Sequence, residues 1–288
     1  MSKLALGTAQ FGQNYGISNQ IGQVPSSEIS RILLSALTLS VQTLDTAIAY
    51  GESEQALGCH DLQSFQVVSK LPEMPAEGSV PEWVASSLAG SLDRLRLNPL
   101  HGLLLHRPQQ LLEQRGAQLY SALLEQKQQG KVIKIGVSVY SPQELEQLLL
   151  YFDFDLIQIP FNIFDQRLLS SGLLKKLKRK NIEVHVRSVF LQGLLLLENE
   201  QRPAKFARWQ THWQQYETWL ADSKVTALEG CLRAIAGVDG IEKLVIGVES
   251  QAQLEQISHI IHQSPLPLPV HLASEDEQLL APSNWSKL

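Results

Sequence analysis

The chain has 288 residues, of which 44% are hydrophobic, and a net charge of −5. That length suits one (β/α)8 barrel of about 250 residues, and the acidic balance argues against a nucleic-acid or anionic-membrane partner, which calls for a basic surface. Two cysteines, Cys59 and Cys231, make neither a disulfide framework nor a zinc site, so no metal is expected and the setting reads as reducing and cytoplasmic.

In chain order, Met1-Ser2-Lys3-Leu4-Ala5-Leu6-Gly7-Thr8 reads as a first strand rather than a signal peptide, which needs a longer apolar region. No apolar run approaches the roughly 20 residues of a membrane span. Strands are expected at about 4–8, 41–45, 66–70, 102–106, 132–138, 155–159, 182–188 and 243–248. Helical runs fall between them at about 26–39, 52–59, 81–96, 109–129, 142–151, 166–179, 205–236 and 250–262. Ser141-Pro142 with Glu144 is a helix start, proline being tolerated in the first turn. Strand and helix alternating eight times favour a closed parallel barrel of the TIM type, a single α/β domain over residues 1–288. No G-x-G-x-x-G follows the first strand, which disfavours a Rossmann sheet. The tail 264–288, with Pro265, Pro267 and Pro269, is expected to run extended over the barrel.

Four polar residues stand at or just past strand ends: Asp45, Tyr50, Lys70 and His106. In a parallel barrel those ends open on one face, where chemistry sits. Reducing a carbonyl by hydride leaves an alkoxide that needs a proton. Tyrosine is a weak acid, with an ordinary pKa near 10; an ammonium beside it lowers that value. Lys70 can serve Tyr50 in this way, Asp45 can hold Lys70 charged, and His106 can donate to the carbonyl oxygen. Each residue alone has a plain alternative as a cap, loop anchor or solvated rim group.

The run Leu44-Asp45-Thr46-Ala47-Ile48-Ala49-Tyr50-Gly51-Glu52-Ser53-Glu54-Gln55-Ala56-Leu57-Gly58 resembles the aldo-keto reductase signature. Val68-Ser69-Lys70 and Leu105-His106-Arg107-Pro108 resemble the family's next two strand ends. Gly136-Val137-Ser138, Gln158, Arg187-Ser188-Val189-Phe190-Leu191-Gln192-Gly193 and Val245-Ile246-Gly247 with Ser250 and Leu254 follow in the family's order. The resemblance spans about 4–262. It implies an NAD(P)-dependent oxidoreductase acting on a carbonyl or alcohol, with Tyr50 as general acid/base, tuned by Lys70 and Asp45, and His106 orienting substrate. It further implies that Ser138 and Gln158 hold the nicotinamide carboxamide, beside Thr8 and Asp45. Backbone groups of the loop through Ser188, Leu191 and Gly193, and of the helix near Ser250 after Gly247, would hold the phosphates.

Three departures from the family pattern stand out. Val139 replaces an Asn. Arg187 replaces an aromatic ring that many members place under the nicotinamide; it would stack there, bind an acidic substrate group, or form a barrel-rim salt bridge. Glu249 and Gln253 stand where members that prefer NADP carry basic residues, which favours NAD over NADP unless another base such as Lys243 compensates. The start is also short of the hairpin that often closes the barrel bottom, a change expected to touch stability rather than chemistry. Phe11, Tyr15 and Asn162 are expected to border a pocket for a small-molecule carbonyl substrate such as a sugar or aldehyde. Trp209, Trp213, Tyr216 and Trp219 have helical spacing and read as a helix packed on the barrel. The competing functions are a Schiff-base lyase using Lys70 and a catalytically idle cofactor-binding barrel. A monomer is the default for such a barrel.

Overall fold

The computed structural model describes residues 2–17, 19 and 21–287. Eight parallel strands close into one barrel: β1 Leu4–Gly7, β2 Thr43–Asp45, β3 Gln66–Leu71, β4 Leu100–Leu105, β5 Val132–Ser138, β6 Leu156–Pro160, β7 Glu183–Arg187 and β8 Lys243–Gly247. Closure is made by β8 on β1, in register from Leu4 opposite Leu244 to Gly7 opposite Gly247. The single-domain TIM barrel anticipated from the strand–helix alternation is thus the observed fold.

The strands form because short β-branched and leucine-rich runs are buried on both faces. Inside, Val68, Leu104 and Leu156 fill the barrel centre. Outside, helices cover the wall through apolar stripes. The helix Ser26–Thr38 buries Ile29, Ile32, Leu33 and Ala36, the i, i+3, i+4, i+7 spacing of one helical face. Ser141 caps the helix Pro142–Leu148, its Oγ accepting from the Glu144 N–H at 3.2 Å.

A second apolar cluster lies at one flank. There the helix Gln210–Ser223 inserts Trp213 and Tyr216 against Phe164, Leu191 and Leu195, as the spacing of its aromatic residues implied. The chain after Ser264 departs from expectation. It passes through Pro265, Pro267 and Pro269 without regular structure, then forms three short helical turns, Val270–Leu272, Glu277–Leu280 and Pro282–Lys287. Leu272, Leu279, Leu280 and Trp285 are buried in the second cluster, and Trp209 Nε1 donates to Asp276 Oδ2 at 2.9 Å. Burial of these four apolar side chains outweighs the extended preference of the proline run. Among the described residues no helix is long and apolar enough to cross a membrane.

Candidate active site

Asp45 ends β2, Lys70 is the penultimate residue of β3, and His106 directly follows β4. The loop after β2 returns Tyr50 over them. The ring centroids of Tyr50 and His106 are 5.8 Å apart, edge to face, and Lys70 Nζ lies 5.0 Å from the Tyr50 centroid. Lys70 is fully buried. It donates to Asp45 Oδ1 at 2.6 Å and to the Thr46 carbonyl oxygen at 2.9 Å, which leaves its third proton for the Tyr50 side.

The far oxygen of Asp45 is also engaged. Gln158 Nε2 donates to Asp45 Oδ2 at 2.6 Å, and Ser138 Oγ donates to Gln158 Oε1 at 3.1 Å. Ser138, Gln158, Asp45 and Lys70, from β5, β6, β2 and β3, therefore form one buried chain of hydrogen bonds beneath Tyr50. Thr8 Oγ1 ties into its edge by donating to the Asp45 carbonyl oxygen at 3.0 Å.

This environment sets the protonation states. Burial pushes the Tyr50 phenol above its ordinary value; Lys70 pulls it down, but by less. The lowered Tyr50 pKa anticipated from the ammonium is therefore not the net result, and the residue rests as a neutral phenol. Burial also works against the Lys70 ammonium, yet Asp45 and Tyr50 outweigh it and raise its pKa. A nucleophilic lysine requires a depressed pKa, and the raised value of Lys70 weighs against the Schiff-base reading. Burial, then the charges of Lys70 and Arg187, lower His106 to about 4. His106 is consequently a neutral imidazole at pH 7 that donates through one nitrogen.

These groups open on a cavity of about 840 Å³. Its lining runs from Tyr50, His106 and Ser138 across Ser188 and Gly193 to Gly247, Glu249 and Gln253, with Thr8, Asp45, Gln158, Arg187 and Tyr15 also bordering it. The loop after β7 is unusual: Ser188, Leu191, Gln192 and Gly193 all have φ between 49° and 94°. Three non-glycine residues in left-handed backbone cost of order 1–3 kcal/mol each and persist only where the surroundings over-determine them, as at ligand clamps. Here Leu191 anchors in the second apolar cluster, and the Gln192 carbonyl accepts from the Ile17 N–H at 3.2 Å. At Gly247 the Gln10 amide lies within 2.4 Å of where a Cβ would stand, and both residues border the cavity. A roomy cavity, neutral hydrogen-bonding groups and close-approach backbone fit a dinucleotide.

Several expected site residues lie elsewhere. Phe11 is fully buried in the main core, because the helix Ala9–Gly12 turns it inward, and does not line the cavity. Asn162 is buried in the loop after β6: its Oδ1 accepts from the Phe164 and Asp165 N–H groups and its Nδ2 donates to the Ser188 carbonyl oxygen at 3.1 Å. It shapes the turn rather than facing a substrate. Leu191 and Ser250 also stay off the cavity wall; Ser250 caps the helix Gln251–Ile261, with Oγ accepting from the Gln253 N–H. Other amides at that helix start are occupied too, Gln251 N–H by Glu28 Oε1 at 2.8 Å and Glu249 N–H by Gln253 Oε1 at 2.7 Å. Lys243 lies at the start of β8, at the opposite end of the strand from Glu249, and donates to the Ser2 carbonyl oxygen at 2.7 Å; it cannot compensate for Glu249. The barrel-rim salt bridge considered for Arg187 does not form among the described residues.

Sequence reasoning missed Glu28, Tyr140, Pro282 and Ser283. The last three border the cavity, as does Gln192 of the expected phosphate loop. Tyr140 had a signal in its place after β5; Glu28, Pro282 and Ser283 had none, being remote in the chain from the strand ends they approach.

The aldo/keto reductase family model matches residues 3–268. The chain belongs to the aldo/keto reductase family. Among solved structures, aldo-keto reductase AKR11C1 from Bacillus halodurans in its holo form superposes with a TM-score of 0.74 at 18% identity, covering 97% of this chain and 92% of that one. Glycerol dehydrogenase AKR11B4 from Gluconobacter oxydans gives 0.71 at 20% identity, covering 92% and 88%. At such identities the likeness speaks for the fold. A curated relative, an uncharacterized oxidoreductase of Schizosaccharomyces pombe, is 30% identical over 147 residues, 47% of this chain. The match spans about half the length of that relative (51%). In this aldo-keto reductase, then, the order of motifs along the chain and the cavity at the strand ends belong together.

Proposed function

We propose that the protein is a nicotinamide-dinucleotide-dependent oxidoreductase that interconverts a carbonyl and an alcohol, with Tyr50 as the general acid/base. The observation that carries this reading is the buried chain Ser138–Gln158–Asp45–Lys70 running beneath a neutral Tyr50 at the floor of a large cavity. A bound dinucleotide supplies or receives the hydride. Tyr50 gives its proton to the carbonyl oxygen as negative charge develops there, and Lys70, held charged by Asp45, stabilises the phenolate left behind. His106, neutral, donates to the same oxygen and fixes its position. In the reverse direction the phenolate form of Tyr50 takes the alcohol proton, a form that burial disfavours and Lys70 favours.

Ser138, Gln158 and Thr8 are the groups we assign to the nicotinamide end, and the backbone of 188–193 with Gly247 to the phosphates. The preferred cofactor is NAD. Glu249 lines the cavity, and Glu28 already occupies the amide of Gln251. Among the described lining residues the single Lys or Arg is Arg187, at the other end. Glu249 disfavours a 2′-phosphate and suits ribose hydroxyls, since no lysine or arginine among the described lining residues stands at that end and the nearby Arg31 is held by Glu28 at 2.6 Å. Fluorescence titration with NADH and NADPH tests both parts. Saturable NADH binding at least about tenfold tighter than NADPH is expected. Tighter NADPH binding would reverse the cofactor choice, and no binding of either would end the oxidoreductase reading.

A further inference from the structure

Arg187 ends β7 and carries the cavity's sole lysine or arginine charge among the described residues. Its guanidinium has five N–H donors in a fixed plane. Among the described residues two neutral acceptors take them: the Val139 carbonyl oxygen from Nη2 at 2.9 Å, and Ser188 Oγ from Nη1 at 3.5 Å. The guanidinium carbon lies 4.5 Å from the Tyr140 ring centroid, so stacking holds the plane still. No carboxylate of the described residues comes within 4.0 Å of it.

The charges around it do not offset it. Lys70 is balanced by Asp45, and His106 is neutral at pH 7. Glu144 feels the Arg187 charge: burial has the larger effect and raises its carboxyl, and Arg187 lowers it by less. It makes no salt bridge with the guanidinium, however, and its Oε2 accepts from the Tyr140 N–H at 2.8 Å. The reacting end of the cavity therefore keeps one positive charge without a salt-bridge partner among the described residues. That end is the right one for substrate: Arg187 is flanked by Val139 and Tyr140, next to Ser138, and its charge is felt at both Tyr50 and His106. A pre-oriented guanidinium with spare donors matches a carboxylate in two parallel hydrogen bonds, a geometry an ammonium does not offer.

We infer that Arg187 is a specificity-determining residue that binds the carboxylate of an acidic carbonyl substrate, an oxo acid or aldehyde acid, or the hydroxy acid in the reverse direction. This rests on the oxidoreductase reading above. The guanidinium holds the carboxylate while His106 and Tyr50 hold the carbonyl oxygen, so the substrate is gripped at two points and its carbonyl face is set.

Two measurements on the full-length protein test it. The first compares kcat/KM, with NADH, for 4-carboxybenzaldehyde against benzaldehyde and for succinic semialdehyde against butanal. The acid of each pair should lead by about tenfold or more, mainly through KM. Arg187→Gln should bring the ratio close to one, and Arg187→Lys should keep part of it. The second is calorimetric titration with benzoate and with benzamide, which needs no turnover. Benzoate should bind and should lose about tenfold or more in affinity in Arg187→Gln, whereas benzamide should bind poorly to both. Equal kcat/KM within each pair, a preference that survives in Arg187→Gln, or benzoate binding no tighter than benzamide overturns the inference. So does an Arg187→Gln protein that binds NADH about tenfold more weakly with its acid-to-neutral ratio intact, since Arg187 would then serve the cofactor. Benzoate binding in a protein that binds neither NADH nor NADPH would uphold the anion site and sink the oxidoreductase reading instead.

Discussion

The two mouths of this barrel each hold an ionic cluster, half-buried at one and buried at the other, and they differ in what lies above it. At the strand N-termini, Glu183 is gripped by Lys134, by His185 Nε2 at 2.6 Å and by His101 Nε2 at 3.8 Å. Burial works against the Glu183 charge, yet those partners hold its carboxyl well below the usual carboxylate range. At the strand C-termini, Lys70 and Asp45 make a pair at the same distance of 2.6 Å, but beneath a phenol and a cavity. The bottom cluster is a plug. With Lys243 on the Ser2 carbonyl oxygen and Lys3 Nζ on that of Ala236 at 2.8 Å, it fastens the segment before β1 to the lower end of the barrel. A strongly shifted carboxylate thus marks structure as readily as chemistry; the adjoining cavity and the free proton donor tell the two apart.

Separating the mouths by mutation breaks or sharpens that contrast. The largest effect is expected at Tyr50→Phe, which removes the proton donor: turnover should fall about 10²–10⁴-fold, with NADH affinity and thermal midpoint little changed. Retained turnover would move the acid elsewhere. Glu183→Gln should do the reverse. It leaves Lys134 without its carboxylate and should cost about 3 kcal/mol in chemical denaturation, tempered by partial exposure of the pair, with kcat/KM kept. Lost activity at full stability would show that the plug reaches the site.

The next effect is in the pH dependence of stability. The His106 pKa is about 4 in the fold against 6.5 ordinarily. Between those values the unfolded chain binds more protons, so His106 contributes stability that is present above pH 6.5 and is lost as pH falls toward 4. The loss between pH 7 and 5 should be about 2 kcal/mol. His106→Asn should flatten that part of the denaturation profile, and an unchanged slope would mean that other groups set it. The smallest effect is expected at the far end of the cavity. Glu249→Arg should shift the NADPH-to-NADH affinity ratio toward NADPH by about tenfold, or about 1.4 kcal/mol; no shift would place Glu249 away from the ribose.

Much of the site was legible because it is built from strand ends. Asp45, Lys70, His106, Ser138 and Arg187 each end, nearly end or directly follow an apolar run, and Gln158 sits mid-strand in β6; parallel strands bring such residues to one face whatever the loops do. Residues whose position depends on loops were read less well. Phe11 and Asn162 are near strand ends but turn into the core and into a turn. The Gln158–Asp45 bond joins residues 113 apart, and no local pattern registers it.

By itself, the sequence determined the barrel, through eight alternations of short apolar strand and amphipathic helix, and the identity of the groups at its upper rim. Tertiary structure decided what those groups became. It made Tyr50 a neutral acid by burial, kept Lys70 charged by enclosing it with Asp45, and left Arg187 without a salt-bridge partner among the described residues. It also packed the C-terminal turns into the flank that brings Pro282 and Ser283 to the cavity. Residue type and strand period are local properties, whereas desolvation and charge pairing depend on which distant segments exclude water from a given atom.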